Sequence, residues 1–303
     1  MFDFSKNIFE IPPEPKVIFV QDFLLSDLIG GAELSMDALH KSSPVSFEVI
    51  RSQQVTEFHI QKYQNHHWVF GNFTGLNPQI LVHFVNNKFS YSVFEHDYKF
   101  CRYRSIEKHE LNEGHPCNCN QTQWGQLIKH FYTNAKKVWW CSQDQLNRYL
   151  KYFPELSVAN NEILSAIFDE DFFKLITPLI ENLPNIEKKG WLTLESDSWI
   201  KGTEDAIIWL KENKKDYSFI KNMSHKEVLE NLAQAEGFVC LPRGGDVSNR
   251  MVTEAKLLGC TVIHNNNVQH VTESWINHPD KGYTLNWLYG RRKVFWDETL
   301  KFI

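Results

Sequence analysis

The chain has 303 residues, 42% of them hydrophobic and 23% charged, with a formal net charge of −5. That is enough sequence for two cores of ordinary domain size, and the acidic balance removes any electrostatic reason to expect tight nonspecific binding to nucleic acid or anionic membrane. No apolar run approaches the ~20 residues that span a bilayer, so no transmembrane segment is expected.

The start, Met1-Phe2-Asp3-Phe4-Ser5-Lys6, lacks the basic start and long apolar core of a secretory leader. Six cysteines then read as reduced thiols, and the expected location is cytoplasmic. Residues 16–20 hold Val17, Ile18, Phe19 and Val20 in one run, which predicts a strand buried on both faces. A loop over 21–31 ends in Gly30-Gly31, and a helix follows over 32–39. Residues 45–50, 68–70 and 89–95 predict further strands, with a helical segment around 82–84. Residues 99–120 read as one long loop. Trp124, Leu127, Ile128 and Phe131 recur at helical spacing within 121–135. A buried strand over 137–141 precedes Ser142, which can cap a helix over 143–152. Residues 163–168 predict the last strand of this half.

The second half repeats the alternation, with strands over 191–194 and 217–220 around a helix over 203–211. Ser224 and Glu227 form a capping-box pattern before a helix carrying Val228, Leu229, Leu232 and Ala233. A strand over 238–241, the turn Pro242-Arg243-Gly244-Gly245, a helix opening near Ser248 and a strand over 261–263 follow. Val294, Phe295, Trp296 and Leu300 predict a helix within 291–303. Alternating strands and helices argue for parallel sheets covered on both faces. The expected fold class is α/β, with two Rossmann-like domains facing each other across a cleft.

Candidate site residues sit where this architecture binds ligands. A glycine-rich turn feeding a helix offers free amides and a positive dipole end, which suits a phosphate. Asp246 and Glu254 lie about two helical turns apart, so each can address a hydroxyl pair of one ligand; the arrangement suits a nucleotide-sugar. Gly30-Gly31 follows the first strand at its carboxyl end, where open α/β sheets bind ligands. Lys201 stands between a strand and a helix, where an ammonium can meet a phosphate. His96 and Asp97 end the strand over 89–95 at its carboxyl edge. Cys101, His109, His115, Cys117 and Cys119 crowd the 99–120 loop. Cys101, His115, Cys117 and Cys119 have the ligand chemistry of a structural zinc site, but Cys117-Asn118-Cys119 is not the spacing of a finger or ribbon. Reduced thiols in a long loop are the competing reading.

Three segments, Gly30-Gly31-Ala32-Glu33, Trp199 to Asp205 with Lys201-Gly202, and Asp246 with the run from Glu254-Ala255 through Gly259 to Val262-Ile263, resemble the retaining GT-B glycosyltransferases of family 4. The resemblance is to a short, divergent member. It implies an acceptor-binding domain over 1–170, a donor-binding domain over 171–285, and a segment over 286–303 that crosses back to the first. The donor would be held by Gly30, Gly31, Lys201, Arg243, Gly244, Gly245, Arg250 and Glu254. Glu254 would take the ribose hydroxyls, Lys201 the diphosphate and Asp246 the transferred sugar. His96 would touch the donor sugar, with Asp97 orienting it or meeting the acceptor. Two departures stand out. Asp246 occupies a position where glutamate is usual, and the family's arginine before the lysine is replaced by Glu195 and Ser196, so Arg243 or Arg250 would supply that charge. The implied activity is transfer from a UDP- or GDP-sugar to an acceptor hydroxyl with retention, requiring no cofactor, no catalytic metal and no dedicated base. The acceptor stays open among glycan, lipid, protein and modified nucleobase. A noncatalytic nucleotide-sugar-binding protein and a GT-B-fold epimerase or phosphorylase are the alternatives, although no lysine is marked for pyridoxal phosphate.

Overall fold

The computed structural model describes residues 14–303, and the Met1 to Lys6 stretch lies outside the described residues. Six strands, β1 (Val17–Gln21), β2 (Phe47–Arg51), β3 (His67–Phe70), β4 (Tyr91–Glu95), β5 (Lys137–Trp140) and β6 (Asn161–Ile163), form one sheet in the order β2-β1-β3-β4-β5-β6. Four more, β7 (Trp191–Leu194), β8 (Tyr217–Ile220), β9 (Gly237–Cys240) and β10 (Thr261–His264), form a second in the order β10-β9-β7-β8. Every pairing in both sheets is parallel. β1, β3, β4 and β5 are buried along their whole length, as continuous apolar runs predict for strands covered on both faces.

The first sheet carries α1 (Gly31–Lys41), α2 (Glu57–Lys62), α3 (Pro78–Asn86), α4 (Ile106–Glu113), α5 (Gln123–Thr133) and α6 (Gln143–Tyr152). The second carries α7 (Glu170–Asn182), α8 (Thr203–Glu212), α9 (His225–Gln234) and α10 (Arg250–Leu257), and α11 (Lys281–Thr299) closes the chain. Side-chain caps place many of these starts. Ser142 accepts from the Gln145 amide, and Ser224 and Glu227 cap each other reciprocally. α4 lies inside the segment expected to be loop: Ser105 caps its start, and Gly114 ends it in the left-handed region at φ 72°. α2 and α7 were likewise not foreseen, and α10 begins at Arg250 under an Asn249 cap rather than near Ser248.

Residues 163–168 are corrected. Only Asn161 to Ile163 pair with β5, and Ser165 turns the chain out of the sheet at φ 70°. The run is apolar for another reason. It connects the two units, with Leu164 and Ile167 in the first core and Ala166 and Phe168 in the second. α11 starts ten residues before the expected helix and spans both cores. Leu288 packs in the second, while Phe295 and Trp296 pack in the first. There Trp296 Nε1 donates to the Leu39 carbonyl at 3.1 Å, and Phe295 stacks on Phe19. α11 thus runs from the second core to the first. Among the described residues no helix is long and apolar enough to cross a membrane.

In each sheet the strand order reverses beside the first strand, β1 in one and β7 in the other. Open α/β sheets bind ligands at the carboxyl ends of strands around such a reversal. The loops after β1, β3, β7 and β9 are therefore where the chemistry is to be sought.

Candidate functional site

On the second-sheet side, Lys201 and Asp246 meet although 45 positions separate them. Lys201 Nζ donates to Asp246 Oδ2 at 3.0 Å, and Asn249 Nδ2 donates to the same oxygen at 2.7 Å. Burial works to raise the Asp246 carboxyl, but the Lys201 ammonium and the two hydrogen bonds outweigh it and hold the acid below its ordinary value. Asp246 in turn pushes the Lys201 ammonium upward. Next to Lys201, Gly202 takes φ 62° and packs against the chain just after β9, where a side chain would strike the Leu241 carbonyl. Glu254, eight positions along, is buried within α10, and its Oε1 lies 2.9 Å from His225 Nε2. His225 is a partner the sequence reading did not include.

The two candidate arginines part company. Arg243 is tied to the first turn of α8, its Nε donating to Asp205 and Nη2 to Glu204, which commits its charge to those two carboxylates. Arg250 is buried at the start of α10, donates to the Ile167 carbonyl, and lies 3.9 Å from the Phe168 ring centroid. Burial pulls its guanidinium downward, with Glu254 and Asp169 opposing. Its Cδ lies 4.0 Å from where a Gly31 side chain would begin, so Arg250 and the Gly30-Gly31 loop face each other. Gly30 serves a different need: the Glu33 carboxylate folds back into the space its side chain would fill.

On the first-sheet side a charged constellation forms around the end of β4. Glu95 is wholly buried and accepts from Lys99 Nζ at 2.9 Å, from Tyr149 at 3.0 Å and from Tyr132. Burial pushes its carboxyl up, against the Lys99 charge. For Asp97 burial acts in the same sense, but Lys99 and Arg104 together hold that carboxyl low. Arg104 pairs with Asp97 and also donates to Asn72 Oδ1 at 3.0 Å. Asp22, after β1, accepts from Ser52 and from the Thr74 and Gly75 amides. No sequence motif marks Asp22, Asn72, Lys99 and Arg104, because they come from three separate loops, after β1, β3 and β4. His96 is held neutral, burial pulling it down to about 3, with Nδ1 3.7 Å from Cys141 Sγ and Nε2 buried without a partner. It can bond a ligand through Nε2 but does not titrate near neutral pH.

The two sides touch. The Gly245 amide donates to Glu107 Oε2 at 3.0 Å, so a carboxylate from the first side already occupies an amide of the glycine turn. Arg148 anchors Glu107 at 2.6 Å and donates to the Asn266 carbonyl at 3.0 Å. Gln269 donates to Tyr98 Oη at 2.6 Å. A side chain at Gly244 would meet Ser105 across this contact, and one at Gly245 would meet first Gln269 of its own side and then Tyr98 across it. A groove of about 460 Å³ lies elsewhere, on the flank formed by α2 and α3 between Val55, Ile60, Ile80 and His83.

The cysteine loop is corrected in one member. Cys101, Cys117 and Cys119 do come together, but the fourth residue is His109, from α4. His115 is exposed, with Nδ1 at 2.8 Å from the Pro116 carbonyl.

No protein-family model matches the chain, and no curated protein matches it by sequence. Solved structures do match in fold. An α,α-trehalose-phosphate synthase (UDP-forming) from Burkholderia xenovorans, in complex with glucose-6-phosphate, superposes with a TM-score of 0.54 at 8% identity, covering 94% of this chain and 99% of that one. HepE from Anabaena, in complex with UDP and glucose, gives 0.52 at 12% identity over 95% and 97%. Sucrose-phosphate synthase from Thermosynechococcus elongatus gives 0.52 at 11% identity over 81% and 71%. The chain has the GT-B fold of these proteins, two Rossmann-like units built on parallel sheets.

Proposed function

We propose that this chain transfers a sugar from a nucleotide-sugar to an acceptor hydroxyl with retention of configuration. The observation that carries the reading is the convergence of Lys201 and Asp246 beside the helix that bears Glu254, at the carboxyl edge of the second sheet of a GT-B fold. A departing diphosphate gains negative charge, and preorganised cations and amides placed where it develops lower the barrier. Lys201, Arg250, the Gly30-Gly31 amides and the start of α10 are the groups available for that. Glu254, steadied by His225, would hold the ribose, and Asp246 the hydroxyls of the transferred sugar. His96 would offer Nε2 to that sugar. The acceptor would attack from the leaving-group face and pass its proton to the departing phosphate, so no separate base is needed. UDP is favoured over GDP because the trehalose-phosphate synthase neighbour is UDP-forming and HepE holds UDP. Free buried cysteines support a cytoplasmic location.

Donor entry must displace Glu107 from the Gly245 amide, since a carboxylate and a diphosphate cannot share one donor. Binding and domain opening are thereby linked.

The test is a thermal-shift screen of UDP, GDP and their sugars, followed by donor hydrolysis without acceptor, for the native chain and Asp246→Asn. A nucleotide-sugar should stabilise and be hydrolysed slowly by the native chain. Asp246→Asn should lose turnover with the full donor but keep its affinity for the free nucleoside diphosphate. Stabilisation without any turnover would identify a noncatalytic binder, and no stabilisation by any nucleotide would reject the reading.

A further inference from the structure

Between β4 and α5, Tyr98 and Phe100 anchor the chain in the first core, but α4 itself carries little apolar material for the work it does. α4 is eight residues long and buries only Ile106 and His109, and a helix that short is not stable by itself. Yet it presents Glu107 to the Gly245 amide, and the preceding turn presents Arg104 to Asp97. The side chains packed under α4 are a cluster of a different kind.

Beneath α4, one ligand atom each from Cys101, His109, Cys117 and Cys119 lie within 4.8 Å of one another, and all four residues are buried. As a plain core this is a poor set. Thiols hydrogen-bond weakly, and His109 Nε2 is buried with no partner among the described residues. His109 Nδ1 points at Cys119 Sγ, 3.4 Å away. The backbone under the cluster is fixed: Thr122 Oγ1 donates to the Cys119 carbonyl at 2.7 Å, and Gly125 lets α5 pack directly on that carbonyl.

We propose that Cys101, His109, Cys117 and Cys119 bind one zinc ion as a closed, structural Cys3His site. Zinc–sulfur bonds of about 2.3 Å and a zinc–nitrogen bond of about 2.0 Å place tetrahedral ligand atoms about 3.5–3.8 Å apart, so the cluster needs to contract by roughly an ångström. Three thiolates and an imidazole select zinc over the hard divalent ions. Binding deprotonates the three thiols, releases the protons to solvent and changes no oxidation state. With four protein ligands no position is left for substrate, so the ion's role is to hold α4 and the Arg104 turn against the second domain.

The test is the metal content of the full chain, expressed in zinc-supplemented medium and purified without chelator. About one zinc per chain is expected, released as the thiols are titrated with a mercurial, and replaceable by cobalt with thiolate-to-metal charge-transfer absorption. His109→Ala and the double variant Cys117→Ser, Cys119→Ser should lose the metal, while His115→Ala keeps it. Less than about a tenth of an equivalent in the reduced native chain, with no uptake on adding zinc, would overturn the proposal whether or not the variants fold. So would a Cys101–Cys117 disulfide in freshly purified protein, or loss of the metal from His115→Ala. None of these readouts depends on sugar transfer.

Discussion

Replacing Lys201 with methionine keeps the apolar stem and removes the ammonium that sits 3.0 Å from Asp246. Asp246 is 9% exposed, and its carboxyl stays below the ordinary 3.8 only because Lys201 and Asn249 overcome the effect of burial. An acid held low in the folded state contributes stability above its unfolded pKa, and that contribution is lost as pH falls through the folded value. In Lys201→Met only the Asn249 bond at 2.7 Å remains. Burial then prevails and the carboxyl rises above 3.8, so the sign reverses: Asp246 costs stability as pH rises through its new value. Removing one partner of a fully buried ion pair costs about 3–5 kcal/mol. The Lys201 side chain is 36% exposed, so water screens the pair and a loss of about 1–2 kcal/mol at neutral pH is expected. Urea denaturation followed by ellipticity, run from about pH 4 to 8, should show the gap between native and variant narrowing steadily at the acid end. A gap that stays constant across that range would refute the assignment of Asp246 as the titrating group. Affinity for UDP should fall in the same variant.

Glu254→Ala should weaken nucleotide binding by about 10- to 100-fold, the loss of a charged hydrogen bond worth roughly 1.5–3 kcal/mol; calorimetry with UDP and GDP checks it, and an unchanged affinity would reject the ribose role. Glu107→Gln keeps an acceptor for the Gly245 amide but removes the charge paired with Arg148. It should tighten UDP binding in a fluorescence titration, and a weaker complex would mean Glu107 belongs to the donor site. Trp296→Ala should destabilise the chain by about 3–5 kcal/mol in urea denaturation, since Trp296 is 4% exposed and its indole donates to Leu39; a loss below about 1 kcal/mol would mean that α11 does not fasten the first domain. His96 is held neutral down to about 3, so His96→Gln should lower the rate without altering the shape of the pH–rate profile. Disappearance of a limb near neutrality would show that His96 carries a working proton.

Periodicity and local punctuation were enough to predict the two-domain α/β architecture. Val17 to Val20 reads as buried strand because the run is apolar throughout, and Ser224 with Glu227 marks the start of α9 because both capping groups lie within one turn. These signals are local, so sequence carries them. Local pattern failed where a second surface supplied the reason for a residue. Residues 163–168 looked like strand because they are apolar, yet two cores, not two sheet faces, cover them. α4 has an almost wholly polar sequence, so its periodicity is silent and only Ser105 and Gly114 mark its ends. The glycine turn, Lys201, Asp246 and Glu254 stand out in the sequence as candidates because residues of those types near a helix start suit a phosphate or a ribose. The meeting of Lys201 with Asp246 is not legible, and neither are His225 behind Glu254, the pairing of Arg243 with Asp205 and Glu204, the Glu95–Lys99–Asp97–Arg104 constellation or the choice of His109 over His115. Each of those depends on which side chains from distant segments occupy the same few ångströms. Chain topology and packing decide that, and no single stretch of sequence contains it.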